Sequence, residues 1–263
     1  MHKLLTELDT GGNIRYEEGK ETDNWFKSCV NLVDARFHPA QFSKYGINNV
    51  RVTKITRIHN RFLRNRFDDK LNQIADVSTN AYKKSLEYLF YGVDPAAPHE
   101  IFHNMEEGFR TPNENASLGL PPCSIVVNTL ELADLGRIKS LNSRLKEADI
   151  GLDIPSGLVL VCKTYIGSNV SDPTRSLYYP DMSIGEIWDE DPVNFETGNA
   201  FYRTKSDDDK QRVWFLTDST LILPEYLVEF EYTNEDPAEE LDVIQQELEV
   251  PYKDFKAAEL GSL

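Results

Sequence analysis

Val213 to Tyr232 reads VWFLTDSTLILPEYLVEFEY, and the reading of this stretch decides the fold. Its first apolar run, Val213 to Leu216, is rich in β-branched and aromatic residues. Its second, Leu227 to Tyr232, alternates Val228, Phe230 and Tyr232 with Glu229 and Glu231. Successive side chains on an extended backbone leave on opposite faces, so this period of two marks a half-buried strand. The expectation is a strand, a short connection through Asp218-Ser-Thr and Leu223-Pro-Glu-Tyr226, and a second strand. Pro224 is placed ahead of that second strand, where no ladder N–H is needed from it.

A chain of 263 residues has ample material for one large domain or two small ones. Hydrophobic residues make up 40% and aromatic residues 11%, which argues for a folded globule. The formal net charge is -16, so the field of the whole protein repels phosphate backbones and anionic membranes. That argues against non-specific nucleic-acid binding and against a membrane partner. Cys29, Cys123 and Cys162 are too few and too scattered for a disulfide framework or a zinc site, and point to a reducing, intracellular compartment, cytoplasmic or nuclear. No export signal and no apolar run of membrane-spanning length is read in the chain. His99 and His103 lie four apart, a spacing that can bring two ligands to one helix face, but no third ligand stands near them and no metal is expected.

Residues 1–48 read as an N-terminal arm: Gly11-Gly12 and the charged stretch Glu17 to Asp23 form a loop, and Asn24 to Asp34 is a short element that covers the main domain. From Asn49, Val52, Ile55, Ile58, Phe62 and Phe67 recur at three- to five-residue steps with basic residues between them, which predicts an amphipathic helix with a basic, solvated outer side. Thr79 to Tyr91 is a second helix or a helix-to-strand passage. Cys123 to Asn128 reads as a strand, Leu130 to Leu145 follows it, and Gly157 to Gly167 is a clean buried strand. An irregular insertion at 168–200, an exposed turn at Lys205 to Lys210 and an acidic amphipathic helix at Pro237 to Val250 complete the reading, the last within a tail at 233–263.

Ile55, Arg57, Ile58, Asn60 and Leu63, the Leu89-Phe-Tyr-Gly-Val93 stretch, the Gly108-Phe109 step, the Gly157 strand and the closing LPEYLV occur in the order found in one family. Over residues 49–232 the chain resembles the catalytic domain of poly(ADP-ribose) polymerases, the diphtheria-toxin-type ADP-ribosyltransferases. In that family the first of these matches lies where a strand leads into a helix. The resemblance implies an α+β fold of two packed, mainly antiparallel β-sheets with flanking helices. It places Arg110 to Pro122 as the segment that covers the NAD site.

The resemblance also implies where catalytic side chains would stand. The family's histidine, which holds the nicotinamide ribose of NAD, is matched by Tyr91, and the glycine after it by Gly92. Glycine suits a backbone that approaches a ligand closely. The tyrosine that stacks on the nicotinamide is matched, within a residue or two, by Val126, which offers no aromatic platform. The glutamate that stabilises the oxocarbenium ion is matched by Val213, whose isopropyl group cannot do so. No catalytic residue and no cofactor is then expected, and Tyr91 and Gly92 mark a vestigial NAD pocket. The implied function is a degenerate transferase-fold module that binds protein partners or serves as a scaffold within a larger protein or assembly. Two alternatives stay open: an active mono-ADP-ribosyltransferase using NAD, since mono-transferring members also lack the glutamate, and ADP-ribose recognition without turnover.

Overall fold

The computed structural model describes residues 12–75, 78, 81–148, 154–167, 170–171, 200–204 and 211–233. The expected turn at 205–210 and helix at 237–250, and nearly all of the insertion at 168–200, lie outside them. Among the described residues nine strands form one sheet in the order β1-β2-β9-β5-β3-β4-β8-β7-β6. They are β1 (Ile14–Glu18), β2 (Asn49–Asn60), β3 (Leu86–Gly92), β4 (Ser124–Val127), β5 (Gly157–Tyr165), β6 (Val170–Ser171), β7 (Ala200–Thr204), β8 (Arg212–Leu216) and β9 (Ile222–Thr233). The helices are α1 (Asn24–Ala35), α2 (Arg61–Ile74), α3 (Glu100–Glu106), α4 (Pro112–Ser117) and α5 (Leu130–Ala148). All ladders are antiparallel except the short β6–β7 pair.

The class is α+β, but the strands join in one continuous sheet where two packed sheets were expected. The join is narrow. β3 meets β4 through a single residue pair, Phe90 with Val127, whereas β3 meets β5 over seven. A ladder of one residue pair divides the sheet into two halves, which is why the two-sheet description comes close.

The segment from Asn49 to Asn60 is a strand, and the helix expected there begins only at Arg61. The cause is a bulge. Val52 pairs with Phe230 and Lys54 with Glu229, so Thr53 is extra and the alternation changes phase. Val50 and Ile55 consequently share the core on one face, while Ile58 enters the core on the other. The resulting spacing imitates a helix. Asn60 ends the strand and caps α2: its side chain accepts from the Leu63 N–H at 3.1 Å and donates to the carbonyls of Met105 at 3.1 Å and Glu106 at 2.8 Å.

Pro224 stands within β9, not ahead of it, opposite Cys162. It is tolerated because the β2–β9 ladder stops at Tyr226 and because a second bulge lies here, where Val161 pairs with Tyr226 and Cys162 with Pro224, leaving Glu225 extra. The rest of β9 follows its alternation, with Val228 and Phe230 fully buried and Glu229 and Glu231 meeting Lys54 and Arg51 of β2. The open choice over Thr79 to Tyr91 resolves into a 3-10 turn at Ala81–Ser85 and then β3.

One core lies between this sheet and α1 and α5, around Val33, Phe42, Ile55, Phe90, Leu130, Val161, Phe215 and Phe230. The other lies on the opposite face, around Leu89, Ile101, Met105, Val126, Leu160 and Trp214. β1 joins the sheet at its edge, and α1 stacks Trp25 on Tyr226 with centroids 5.8 Å apart. Among the described residues no helix is long and apolar enough to cross a membrane.

Candidate functional site

A cavity of about 430 Å³ opens where β3 ends and the two half-sheets part. Tyr91, Gly92, Asn104, Phe109, Arg110 and Ile125 are among its walls. The segment after α3 closes one side. Gly108 turns the chain with φ 87°, a conformation that favours glycine, and an added Cβ there would come 2.7 Å from Leu63. The stretch Arg110 to Pro122 is not all loop, for it contains α4. Thr111 and Glu114 cap this helix reciprocally, which satisfies its free N–H groups and fixes its start. Asn115 on α4 donates to the Cys123 carbonyl at 3.2 Å, and Arg110 pairs with Glu100, so the cover is tied to α3 and to the start of β4.

Tyr91 meets Phe109 edge-on with centroids 5.1 Å apart, and its hydroxyl bonds the Asn104 side chain. Burial pushes the phenol up to about 12, so it is a neutral hydroxyl and not a base at ordinary pH. Gly92 has a packing reason to be glycine. A Cβ on it would overlap the Ala133 carbonyl oxygen and lie 2.5 Å from the carbonyl carbon, so the first turn of α5 packs directly on Gly92, and both residues stand in the cavity wall.

The approach of α5 is enforced next door. Asp134 is fully buried and accepts two bonds from Arg137, at 2.7 and 2.6 Å, and one from the Tyr232 hydroxyl at 2.9 Å. Arg137 also donates to the Pro155 carbonyl at 2.8 Å and lies over the Phe230 ring. Burial works against the Arg137 charge, and its bonds to Asp134 outweigh that, so the guanidinium is held charged. Burial first, and then the Asp134 carboxylate, raise Tyr232 well above its ordinary value, which keeps its hydroxyl a donor. At the head of α5 the Leu130 N–H donates to the Arg36 carbonyl, and Glu131 accepts from the His38 N–H.

Of the positions singled out in the sequence, Tyr91 and Gly92 line the cavity together. Val126 and Val213 do not. Val126 pairs with Trp214 and is buried in the core on one face, and Val213 pairs with Val127 and is buried in the core on the other. On β4 it is Ser124 and Ile125 that reach the cavity. Strand alternation separates Ile125 from Val126, so a one-residue shift in the sequence match changes the face. His59 lies on β2, next to the edge strand β1, 2.8 Å from Glu17. Among the described residues no group of three His, Cys, Asp or Glu could hold a metal ion. The Asp134, Arg137 and Tyr232 cluster was missed, although an Asp and an Arg three apart on an apolar helix was a visible signal for a buried pair.

No family model matches the sequence. Among solved structures, the chain is similar to the crystal structure of the TASOR pseudo-PARP domain, with a TM-score of 0.53 and 14% identity, covering 83% of this chain and 99% of that one. At that identity the likeness speaks for the backbone, and it spans nearly the whole of the neighbouring domain. The chain thus has the fold of a PARP-type catalytic domain.

Proposed function

We propose that this chain is a catalytically degenerate PARP-like ADP-ribosyltransferase-fold domain that acts as a binding and scaffolding module within a larger protein or assembly. The observation that carries the reading is the packing of α5 directly on Gly92. The Ala133 carbonyl stands where a Cβ of residue 92 would be, and Asp134, the next residue, is locked in place, so this glycine serves the packing of a helix. Three further features support it: Tyr91 is spent on Phe109 and Asn104, Val213 is buried as an apolar core residue, and β4 brings no aromatic ring to the cavity. A transferase of this fold needs groups that meet charge developing on the ribose, and these side chains supply none. NAD is accordingly not a cofactor of this domain, and its partners are proteins.

The test is isothermal titration of the folded protein with NAD, with ADP-ribose run in parallel. Silence with both ligands is the expected result. Heat with NAD, followed by transfer of label from NAD to protein, would establish the mono-ADP-ribosyltransferase instead. Heat with ADP-ribose alone would establish recognition without turnover. Tyr91→His is expected to leave titration and transfer unchanged, because Val213 still supplies no carboxylate and β4 no aromatic ring.

A further inference from the structure

β1 is the last strand on its side of the sheet, and among the described residues nothing pairs with its outer edge. The direction of its backbone groups follows from its two ends. The Asn13 carbonyl accepts from the Arg61 N–H at 2.9 Å, and the Gly19 N–H donates to the Ile55 carbonyl at 2.8 Å. The register from Ile14 with Asn60 to Glu18 with Thr56 is unbroken. Arg15 and Glu17 therefore face β2 with their backbone groups, and Ile14, Tyr16 and Glu18 direct theirs outward. Ile14 and Tyr16 are also 38% and 44% exposed, large apolar side chains on an edge strand that carries no proline or lysine to blunt it.

We infer that this edge is an interface for a second copy of the same chain, paired antiparallel about a twofold axis at Tyr16. Such an interface must be complementary to itself. With Tyr16 opposite Tyr16 of the second copy, the outward N–H and C=O groups of Ile14, Tyr16 and Glu18 meet their counterparts. Arg15 then stands opposite Glu17 of the second copy, and Glu17 opposite its Arg15. These are non-hydrogen-bonded positions, where side chains on neighbouring strands come closest and opposite charges attract best. The charges also select the register. A slip one way sets Arg15 against Arg15, and a slip the other way sets Glu17 against Glu17. The Tyr16 rings lie on the sheet face of Ile58 and cover one another across the axis.

Five residues a side form a small interface, so the dimer is weak, and the net charge of -16 on each copy opposes it. The cavity lies four strands away along the sheet and is untouched by the pairing.

Analytical ultracentrifugation from low micromolar to millimolar protein tests this. The unaltered chain is expected to pass from monomer to dimer across that range. Tyr16→Pro removes an outward N–H together with the ring and its hydrogen bond with Glu106, and with the fold verified by circular dichroism and thermal unfolding the dimer is expected to be lost. Arg15→Glu and Glu17→Arg are each expected to weaken self-association by about tenfold, by placing like charges opposite one another twice. Each variant also loses a contact within its own chain, Glu17 that with His59 and Arg15 another, so the deciding measurement is the equimolar mixture of the two variants. That mixture restores both opposite-charge pairs and is expected to associate better than either variant alone. An unaltered chain that stays monomeric throughout, a dimer undiminished by Tyr16→Pro, or a mixture no better than its components would each overturn the inference.

Discussion

Two clusters of the same chemical make-up sit on β9. At one, Asp134 meets Arg137 and the hydroxyl of Tyr232; at the other, Glu225 meets Arg64 at 2.6 Å and the hydroxyl of Tyr88 at 2.8 Å. They differ in depth. The Arg137 and Asp134 side chains are 13% and 1% exposed, whereas Arg64 is 47% exposed beside an 11% exposed Glu225. Charges removed from water depend wholly on one another, while a charge that keeps part of its hydration can do without its partner. The inner cluster is thus a constraint on the fold, and it sets where α5 lies and so what fills the space beside Gly92. The outer cluster finishes a bulge.

Breaking the inner cluster is the harshest test of that difference. Asp134→Ala strands a buried guanidinium and is expected to destabilise the protein by about 3–5 kcal/mol in urea unfolding. Gly92→Ala attacks the same arrangement from the other side, with a Cβ that no rotamer change can relieve because its obstacle is backbone. A loss of about 3 kcal/mol is expected. A Gly92→Ala protein as stable as the original would show that α5 is free to move, and its packing on Gly92 would cease to be an argument against NAD.

Tyr232→Phe removes one donor from Asp134 and leaves Arg137 in place, so about 1–2 kcal/mol is expected. The tyrosines also give the protein an alkaline limit. Tyr91 ordinarily titrates near 10 and is pushed up to about 12 in the fold. A raised folded value means that the native state holds the proton more tightly than the unfolded one. Its contribution is complete below about pH 10 and is lost as pH rises toward 12. Tyr91→Phe should flatten that part of the stability profile measured by chemical denaturation.

How much of this was legible varied with the kind of signal. Val228, Phe230 and Tyr232 gave β9 away because nothing interrupts their alternation. The same signal failed in β2, where the extra Thr53 shifts Ile55 against Val52 and the apolar spacing runs on into α2 through Phe62 and Phe67. A bulge has no residue signature of its own in either place, so neither Thr53 nor Glu225 could be read as one. The motif that spans Ile55 to Leu63 was more reliable than periodicity, since Asn60 has a local task that fixes the element boundary. At the site, Gly92 was legible as a place of close approach, but what approaches is a helix at Ala133, 41 positions along the chain, brought there by pairings that no short stretch encodes. Val126 and Ile125 differ by one place in the chain and by a whole face of the sheet, a distinction that depends on register alone.

The outer cluster supplies the smallest and sharpest test. Glu225 is the extra residue of the β9 bulge, and a bulge re-aims its side chain away from the ladder. That aim brings the carboxylate to Arg64 on α2 and to Tyr88 on β3, so the contact joins three elements. Burial, and then Glu225, raise the Tyr88 phenol above its ordinary value, which keeps it a donor. Glu225→Gln keeps the shape and an acceptor for Tyr88 and removes only the charge facing Arg64. With Arg64 half in water, the expected cost is below about 1 kcal/mol, and salt should diminish it further. A loss as large as that of Asp134→Ala would mean that depth does not separate the two clusters, and that the bulge, through Glu225, anchors α2 as firmly as Asp134 anchors α5.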